Sequence, residues 1–325
     1  MDTVLGPSSS QQDSFEEVED AVSAVVQGVD CALVCYGQTG SGKTHTMLGP
    51  DSYSEALSAS LSAETFGGTQ DLDHADAGII PRSIQRVFDA AEEIKTCEQT
   101  EVTLWLSMLE IYNEQVRDLS PLDLSNESTG GSSSQVPRQV FARLVGEERA
   151  ALSSHTSHGS LVLEGLQEVR VHDPIDVIRA VLRGLESRAS SKTDMNDRSS
   201  RSHLVVRIRS RMQRGDLGDF REGVLTLVDL AGSERLARSG ALGEARLEAQ
   251  HINKSLSALG NVLSALQRKS THIPFRDSAL TSLLSPCLTP GGGGRAILFA
   301  HISPVAADAQ ESTCTLEFAV RAARV

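Results

Sequence analysis

The chain has 325 residues, of which 39% are hydrophobic and 22% are charged. This composition excludes wholesale disorder and leaves ample chain for a hydrophobic core. The 43 acidic residues outnumber the 30 basic ones, so the formal net charge is −13. That balance argues against a general nucleic-acid-binding protein, because such proteins carry a basic surface.

The cysteines and the apolar runs limit the cellular setting. The five cysteines form no CxxC pair and no metal-type spacing, so reduced, buried thiols in a cytosolic protein are the expected state. No apolar run approaches the roughly 18 residues that a membrane-spanning helix needs. The amino-terminal residues lack the basic and apolar regions of a secretory signal.

The first part of the chain predicts a helix, a buried strand and a second helix in succession. Residues 13–28 are predicted to be helical because apolar residues recur at three- and four-residue steps, with Asp13 as the N-cap. Residues 29–36 form a short apolar run typical of a buried parallel strand. Residues 49–77 are rich in Ser, Asp and Gly and too long for a simple connection, so we expect a surface insertion.

The rest of the chain alternates between predicted strands and helices. This alternation implies an α/β fold of the P-loop NTPase type, with a mostly parallel central sheet and helices on both faces. Further polar loops are expected at 120–137, a second surface insertion, and at 153–160. Pro286 is expected to close the helix that precedes it. The predicted helices lie at 79–94, 173–190, 252–266, 277–284 and 312–325, and the predicted strands at 101–112, 204–211, 224–228 and 296–302.

The run GQTGSGKT matches the pattern G-x-x-x-x-G-K-[ST] in every fixed position. It lies between an apolar strand and a helix, which is the context that the pattern requires. Glycines let the backbone wrap closely around a polyphosphate, which backbone N–H groups and the helix N-terminus attract. Lys43 is predicted to reach the β- and γ-phosphates, and Thr44 to ligate Mg²⁺. The predicted nucleotide-binding residues of this loop are Gly37, Gln38, Thr39, Gly40, Ser41, Gly42, Lys43 and Thr44.

Two further segments have the composition of γ-phosphate sensors. An apolar strand leads to Asp229, which is placed to hold a metal through water, and to Gly232, a candidate backbone N–H donor to a γ-phosphate. The hydroxyl-rich segment 196–203 would orient a metal-bound or attacking water. Its Arg201 is a candidate partner of Glu234, in an ion pair that forms or breaks with the nucleotide state. Taken alone, each segment is also compatible with a plain turn or a solvated loop.

The preference for adenine or guanine is predicted from the absence of one tetrapeptide. Guanine-specific P-loop proteins of the Ras type use the tetrapeptide NKxD to recognise the base. Here Asn253-Lys254 is followed by Ser and Leu, and no NKxD occurs in the chain. This pattern favours ATP over GTP.

Seven motifs together make the chain resemble a kinesin motor domain. They occur in the family's order and span nearly the whole chain, so they are far more specific than the phosphate loop alone. The motifs are YGQTGSGKTHTM (36–47), EIYNEQVRDL (110–119), NDRSSRSH (196–203), LVDLAGSERLARSGA (227–241), INKSLSALGNVLSAL (252–266), HIPFRDSALTSLL (272–284) and TLEFAVRAARV (315–325).

The resemblance implies a microtubule-dependent motor ATPase that uses ATP and Mg²⁺ and couples hydrolysis to binding and movement along microtubules. It implies that NDRSSRSH is switch I, with Ser199 and Ser200 placed for the metal and the lytic water. It likewise implies that DLAGSE is switch II, with Gly232 on the γ-phosphate and Glu234 closing onto Arg201.

The resemblance also implies the contacts with the adenine and with the track. His45 matches the residue that lies against the adenine, and the helix with Asn253 and Lys254 matches the relay helix that lies on the microtubule. The implied partner is tubulin, on the cytoplasmic microtubule cytoskeleton, with no nucleic acid and no membrane span. The implied tubulin-binding residues are Arg238, Lys254, His272 and Arg276.

The chain departs from the family pattern in two respects. The family's first strand, with its Arg-x-Arg-Pro adenine clamp, is expected to precede residue 1, so residues 1–325 are expected to form a single motor domain that lacks its start and exposes a sheet edge. Ala279 and Ser282 stand where the family has basic residues, which would weaken a salt-dependent contact with tubulin. Neck, coiled-coil and cargo regions are expected to lie outside these residues.

Two alternative functions differ from this one in class. A non-motile module would keep the fold and hold the filament without productive cycling, as the missing strand and the lost cations would favour. A signalling GTPase would share the phosphate loop, but the absent NKxD and the six other motifs contradict it.

Overall fold

A computed structural model describes residues 2–62, 74–98, 100–120, 138–144, 161–190, 198–214, 219–234 and 244–325. Most of the predicted insertion at 120–137 and the whole polar patch at 153–160 lie outside these ranges. The helices are α1 (Gln11–Glu16), α2 (Glu19–Ser23), α3 (Lys43–Leu48), α4 (Asp51–Ser62), α5 (Ile79–Glu98), α6 (Pro174–Ser190), α7 (Glu244–Gln267), α8 (Ala279–Leu288) and α9 (Ala309–Ala322). The strands are β1 (Cys31–Gly37), β2 (Val102–Tyr112), β3 (Gln115–Asp118), β4 (Arg138–Leu144), β5 (Leu161–Glu164), β6 (Val169–Val171), β7 (His203–Arg214), β8 (Asp219–Asp229) and β9 (Arg295–His301).

The strands form one mixed sheet in the order β5-β4-β3-β2-β7-β8-β1-β9, and β6 pairs with β2. The expectation of a mostly parallel sheet is wrong. Among the described strands, only the pairings of β1 with β8 and with β9 are parallel. The other described pairings are antiparallel, including that of β2 with β3, which are joined by the turn at Asn113 and Glu114, whose φ angles are 54° and 60°.

The strand directions bring the predicted site segments together. The carboxyl ends of the parallel strands β1, β8 and β9 lie at one edge of the sheet. β7 is antiparallel to β8, so its amino end reaches the same edge, and Leu204 is paired with Asp229. The phosphate loop after β1, the segment after β8 and the segment before β7 therefore meet there.

Helices cover both faces of the sheet, as the sequence predicts. On one face, Leu33, Met108 and Ile208 pack with apolar residues of α1, α2, α5 and α6. On the other face, Val34 and Val205 pack with residues of α7, α8 and α9. The predicted apolar face of α7 is confirmed where its side chains are described, because Leu256, Leu259, Leu263 and Leu266 are buried.

Helix boundaries differ from the predictions in two places. Ser10, not Asp13, is the N-cap of α1, and the two residues form a reciprocal capping box. Pro286 lies inside α8 rather than after it. Its ring leaves the carbonyl of Ser282 without a backbone donor, and the Ser285 hydroxyl donates to that carbonyl at 2.8 Å instead.

The predicted surface insertion at 49–77 contains an ordered element. Helix α4 packs into the core through Tyr53 and Leu57, which are 8% and 5% exposed. Because residues 49–77 are mostly polar, the sequence did not predict that these two side chains are buried. Residues 63–73 lie outside the described part of the chain.

The outermost strand on one side is β9, which pairs with β1. Its apolar residues Ile297, Leu298 and Phe299 are half-buried. Of the five cysteines, three are buried as expected, but Cys97 is exposed and Cys314 is half-buried. Within the described residues, no helix has both the length and the apolar character needed to cross a membrane.

Candidate active site

The loop between β1 and α3 has the geometry that its glycines permit. Gly40 and Gly42 have φ angles of 78° and 97°, in the left-handed region that favours glycine. A Cβ on Gly37 would collide with the backbone oxygen of His301 at the end of β9. The loop therefore bends tightly at the edge of the sheet, and α3 begins at Lys43 with its N-terminus in the loop.

The Lys43 ammonium lies within this loop. Its side chain is buried, and Nζ donates to the carbonyls of Gly37 and Gln38 at 2.9 and 2.8 Å. Burial lowers the pKa of Lys43, while the carboxylates of Asp229 and Glu234 act in the opposite direction. The loop thus holds a concentrated positive charge where the sequence predicts a polyphosphate.

Thr44 and Asp229 form the candidate metal position. The Thr44 hydroxyl donates to Asp229 Oδ2 at 2.6 Å. Burial raises the pKa of Asp229, whereas the hydrogen bond from Thr44 lowers it. Asp229 Oδ1 is buried without a hydrogen-bond partner, so it retains an oxygen acceptor for a hydrated cation.

These donors suit magnesium in particular. In the described part of the chain, no group of three or more His, Cys, Asp or Glu side chains could hold a metal by itself. Magnesium fits such a sparse donor set, because it usually keeps several waters and takes its other ligands from substrate phosphates.

The two predicted switch segments contact each other and the phosphate loop. The N–H of Gly232 donates to the carbonyl of Ser200 at 3.0 Å, and the N–H of Ser233 donates to the carbonyl of Gly37 at 3.1 Å. A Cβ on Gly232 would meet the side-chain oxygens of Thr39 and Glu234, which would have to move away. Ser199 belongs to the same 3₁₀ turn as Ser200, at Arg198–Arg201.

Glu234 occupies a different position from the one that the resemblance implies. Its carboxylate accepts hydrogen bonds from the backbone N–H and the hydroxyl of Thr39, at 2.9 and 2.7 Å. The expected closure of Glu234 onto Arg201 is therefore not the arrangement in this structure. A local reason is visible: Thr39 offers two donors in the adjacent loop, and the carboxylate uses both.

A buried ion pair fixes the end of the first switch segment. Arg188 of α6 donates to the carbonyl and hydroxyl oxygens of Ser202, both at 2.9 Å. Its Nε lies 3.5 Å from Glu110 Oε1 of β2, and the two side chains are only 7% and 2% exposed. Either charge alone would be buried without a counter-charge, which is strongly unfavourable, so Arg188 stays beside Glu110. From that position Arg188 holds Ser202 next to β2.

The rim of the site is organised by the amino-terminal helix. The side-chain amide of Gln11 donates to the His45 carbonyl at 2.7 Å and lies 3.2 Å from His45 Nδ1. The Arg82 guanidinium donates to the side-chain oxygen of Gln12 at 2.6 Å. The exposed His45 ring is thereby held beside the phosphate loop, where the resemblance implies an adenine contact.

His301 is a second histidine against the phosphate loop. Burial lowers its pKa to about 4, and the positive charges of Lys43 and His45 act in the same direction. Its buried Nε2 has no hydrogen-bond partner among the described residues. The ring is therefore neutral at pH 7 in the folded protein.

We expect His301 to make folding stability depend on pH. The unfolded chain binds a proton at this ring near pH 6.5, whereas the folded chain binds it only near pH 4. Stability should therefore fall as the pH drops from 6.5 towards 4. His301→Asn should reduce that slope by up to about 1.4 kcal/mol per pH unit. Urea midpoints measured between pH 7.5 and pH 4.5 test this, and equal slopes for both proteins would contradict it.

Three of the four predicted tubulin-binding residues lie on the α7–α8 side of the molecule. Lys254 of α7 is exposed, as are His272 and Arg276 in the segment between α7 and α8. Arg238 lies outside the described residues. In the same region, Glu114 of the turn between β2 and β3 contacts the start of α8: the backbone N–H of Ala279 donates to Glu114 Oε2 at 3.1 Å. Ser282 is buried, and its hydroxyl donates to the Phe275 carbonyl at 3.0 Å.

Sequence reasoning missed several residues that shape the site. Their partners are distant in sequence, so no local pattern reveals them. Glu114 could have been found, because it lies in the EIYNE motif that the sequence analysis quotes, in the turn between β2 and β3. The missed residues are Gln11, Gln12, Arg82, Glu110, Glu114, Arg188 and His301.

Comparisons with known proteins agree with this geometry. The kinesin motor domain family model matches residues 1–325. The kinesin-like protein KIN-14A of Oryza sativa subsp. japonica is 39% identical over 323 residues, and KIN-14D of Arabidopsis thaliana is 37% identical over 322 residues. The alignments cover 99% and 98% of this chain but 28% and 36% of those proteins. The chain thus spans about a third of the length of these curated relatives.

Solved structures give the same result. A fast kinesin has a TM-score of 0.76 at 32% identity, and the match covers 99% of this chain and 78% of that chain. The motor domain of the Kar3-like kinesin from Ashbya gossypii has a TM-score of 0.68 at 26% identity, covering 98% of this chain and 82% of the other.

Proposed function

Because the chain belongs to the kinesin motor-domain family, we propose that it is a microtubule-dependent motor ATPase. It couples ATP hydrolysis to nucleotide-dependent binding and movement along microtubules. The observation that carries the proposal is the contact among three segments at one sheet edge: the phosphate loop, the Ser200 turn and the segment with Gly232 and Glu234. Residues 1–325 act as a single motor domain, with 49–77 and 120–137 as surface insertions and α4 anchoring the first.

The phosphate loop binds the triphosphate. Residues 37–44 surround it with backbone N–H groups, and Lys43 exchanges its two carbonyl acceptors for phosphate oxygens. His45, held by Gln11, lies against the adenine. Thr44 and Ser200 would hold Mg²⁺ directly and Asp229 would hold it through water, which supplies charge neutralisation for the phosphates.

Hydrolysis depends on positioning more than on covalent chemistry. Ser199 and Ser200 orient the attacking water, and Gly232 offers its N–H to the γ-phosphate in place of the Ser200 carbonyl. Arg201 and Glu234 close the site, after Glu234 has left Thr39. Loss of the γ-phosphate releases these contacts, and the segment after β8 then relaxes.

The track contact is local rather than global. The net charge of −13 repels an acidic polymer such as tubulin, so binding must come from a basic patch. Lys254 on α7 and His272 and Arg276 after it contribute to that patch, and Arg238, outside the described residues, is the fourth cation assigned to it. Because the family is that of kinesin motor domains, the proposal includes association with cytoplasmic microtubules.

The test is ATP turnover with and without polymerised tubulin. We expect stimulation of at least about tenfold at saturating microtubules, since the track contact speeds a step of the nucleotide cycle. Unchanged turnover would contradict the motor. GTP in place of ATP tests the signalling alternative, which requires preference for guanine.

Pelleting with microtubules separates the motor from a non-motile module. A motor binds more tightly with a non-hydrolysable ATP analogue than with ADP, because its grip depends on the γ-phosphate. A module that only holds the filament would pellet equally in both states.

A further inference from the structure

His203 stands at the meeting point of three elements. It is the first residue of β7 and follows Ser202, which the buried Arg188 fixes to the sheet. Its backbone is paired with Ile111 of β2, and its side chain is 3% exposed. The imidazole is therefore a fixed reference point at the sheet edge, directly behind the active site.

Both ring nitrogens of His203 are used, each by a different element. The backbone N–H of Ala231 donates to Nδ1 at 2.9 Å. Nδ1 is thus the acceptor of a neutral ring, so Nε2 carries the proton and donates to the Ser255 hydroxyl at 2.7 Å. Burial lowers the pKa of His203 to about 3, which keeps the ring neutral. Ser255 lies on α7 and is 2% exposed.

The two partners of the ring belong to opposite ends of the proposed mechanism. Ala231 precedes Gly232, whose N–H donates to the Ser200 carbonyl. Ser255 follows Lys254, which is exposed on the outer side of α7. One side chain therefore connects the segment next to the γ-phosphate position with the helix that carries a track-binding residue.

We propose that His203 is the positioning residue that holds α7 in register with the segment 230–234 through the Ala231–His203–Ser255 hydrogen bonds. This inference rests on the proposed function. When segment 230–234 moves with the nucleotide state, the ring passes that movement to α7 because it is hydrogen-bonded to both. Without the Ser255 bond, the segment still responds to nucleotide but α7 does not follow.

Hydrogen exchange of the full chain tests this directly, with ADP and with a non-hydrolysable ATP analogue. In the unmodified protein we expect the two nucleotides to give different exchange in 37–48 and in 254–267. Ser255→Ala should reduce the difference in 254–267 by about fivefold, the loss expected for one buried hydrogen bond, and leave the difference in 37–48 intact. A merely structural role would change exchange of α7 equally in both nucleotide states.

Two variants control the experiment. Ser255→Thr keeps the hydroxyl, so in this variant hydrogen exchange in 254–267 should differ between the two nucleotides as much as it does in the unmodified protein. Ser264→Ala removes a hydroxyl from the same helix that donates only to the Gly260 carbonyl, and should have no effect. The ratio of microtubule affinities in the two nucleotide states should follow the same order, with about a fivefold loss in Ser255→Ala.

The outcomes separate the inference from the proposed function. A full difference in 254–267 in Ser255→Ala would overturn the inference, as would an unmodified protein that responds in 37–48 but not in 254–267. An unmodified protein that shows no response in 37–48 to either nucleotide would overturn both the proposed function and the inference.

Discussion

Lys43→Ala should abolish measurable nucleotide binding. The ammonium is buried and fully committed to the phosphate loop, with Gly37 and Gln38 as its carbonyl acceptors. Removing a charge that pairs with a buried phosphate costs about 2–5 kcal/mol, which corresponds to a loss of ~30-fold to several thousandfold in affinity. Titration with a fluorescent ATP analogue measures the change.

Two further variants serve as controls for this measurement. Lys43→Met keeps the aliphatic chain and should lose as much affinity as Lys43→Ala, since the charge is what binds. Lys95→Ala removes a lysine whose ammonium contacts only the exposed Glu92 and should bind ATP normally. If Lys43→Met kept normal affinity, the loop lysine would be packing rather than binding phosphate.

The phosphate loop shows why local patterns predicted so much of the site. Its glycines, Lys43 and Thr44 are adjacent in sequence, and one strand and one helix are enough to position them. The same holds for the apolar face of α7, which follows from helical periodicity alone.

Strand direction could not be predicted in the same way. β7 and β8 each read as strands from patterns that do not depend on strand direction. Only two residues lie between β2 and β3 and four between β7 and β8, which is too few for a parallel crossover, so each pair is antiparallel. The direction of these strands therefore follows from the length of the connection between them and not from their composition.

The supporting residues of the site escaped prediction for a different reason. Arg188, Glu110 and Ser202 come from three elements, and only the fold brings them together. The same is true of Glu234 and Thr39, which are 195 residues apart. Sequence predicted that Glu234 would act near the γ-phosphate, but not that Thr39 would hold its carboxylate.

Glu234→Ala should block hydrolysis while permitting ATP binding. The carboxylate contacts the loop only through Thr39, whereas Lys43 and the loop amides carry the affinity. We expect ATP affinity to change by no more than about threefold, and turnover to fall by about 10²–10³-fold, as for other groups that act in the transition state. Normal turnover in this variant would refute a role in closing the site. Glu317→Ala, at an exposed position on α9, is the matched control.

A double-mutant cycle decides which partner of Glu234 matters for turnover. If Glu234 leaves Thr39 and closes onto Arg201 for hydrolysis, Arg201→Ala should reduce turnover as much as Glu234→Ala does. The double variant should then turn over ATP no more slowly than either single variant. Additive losses would show that the two side chains act independently. In that case the Thr39 bond, rather than an ion pair with Arg201, is the contact through which Glu234 supports catalysis.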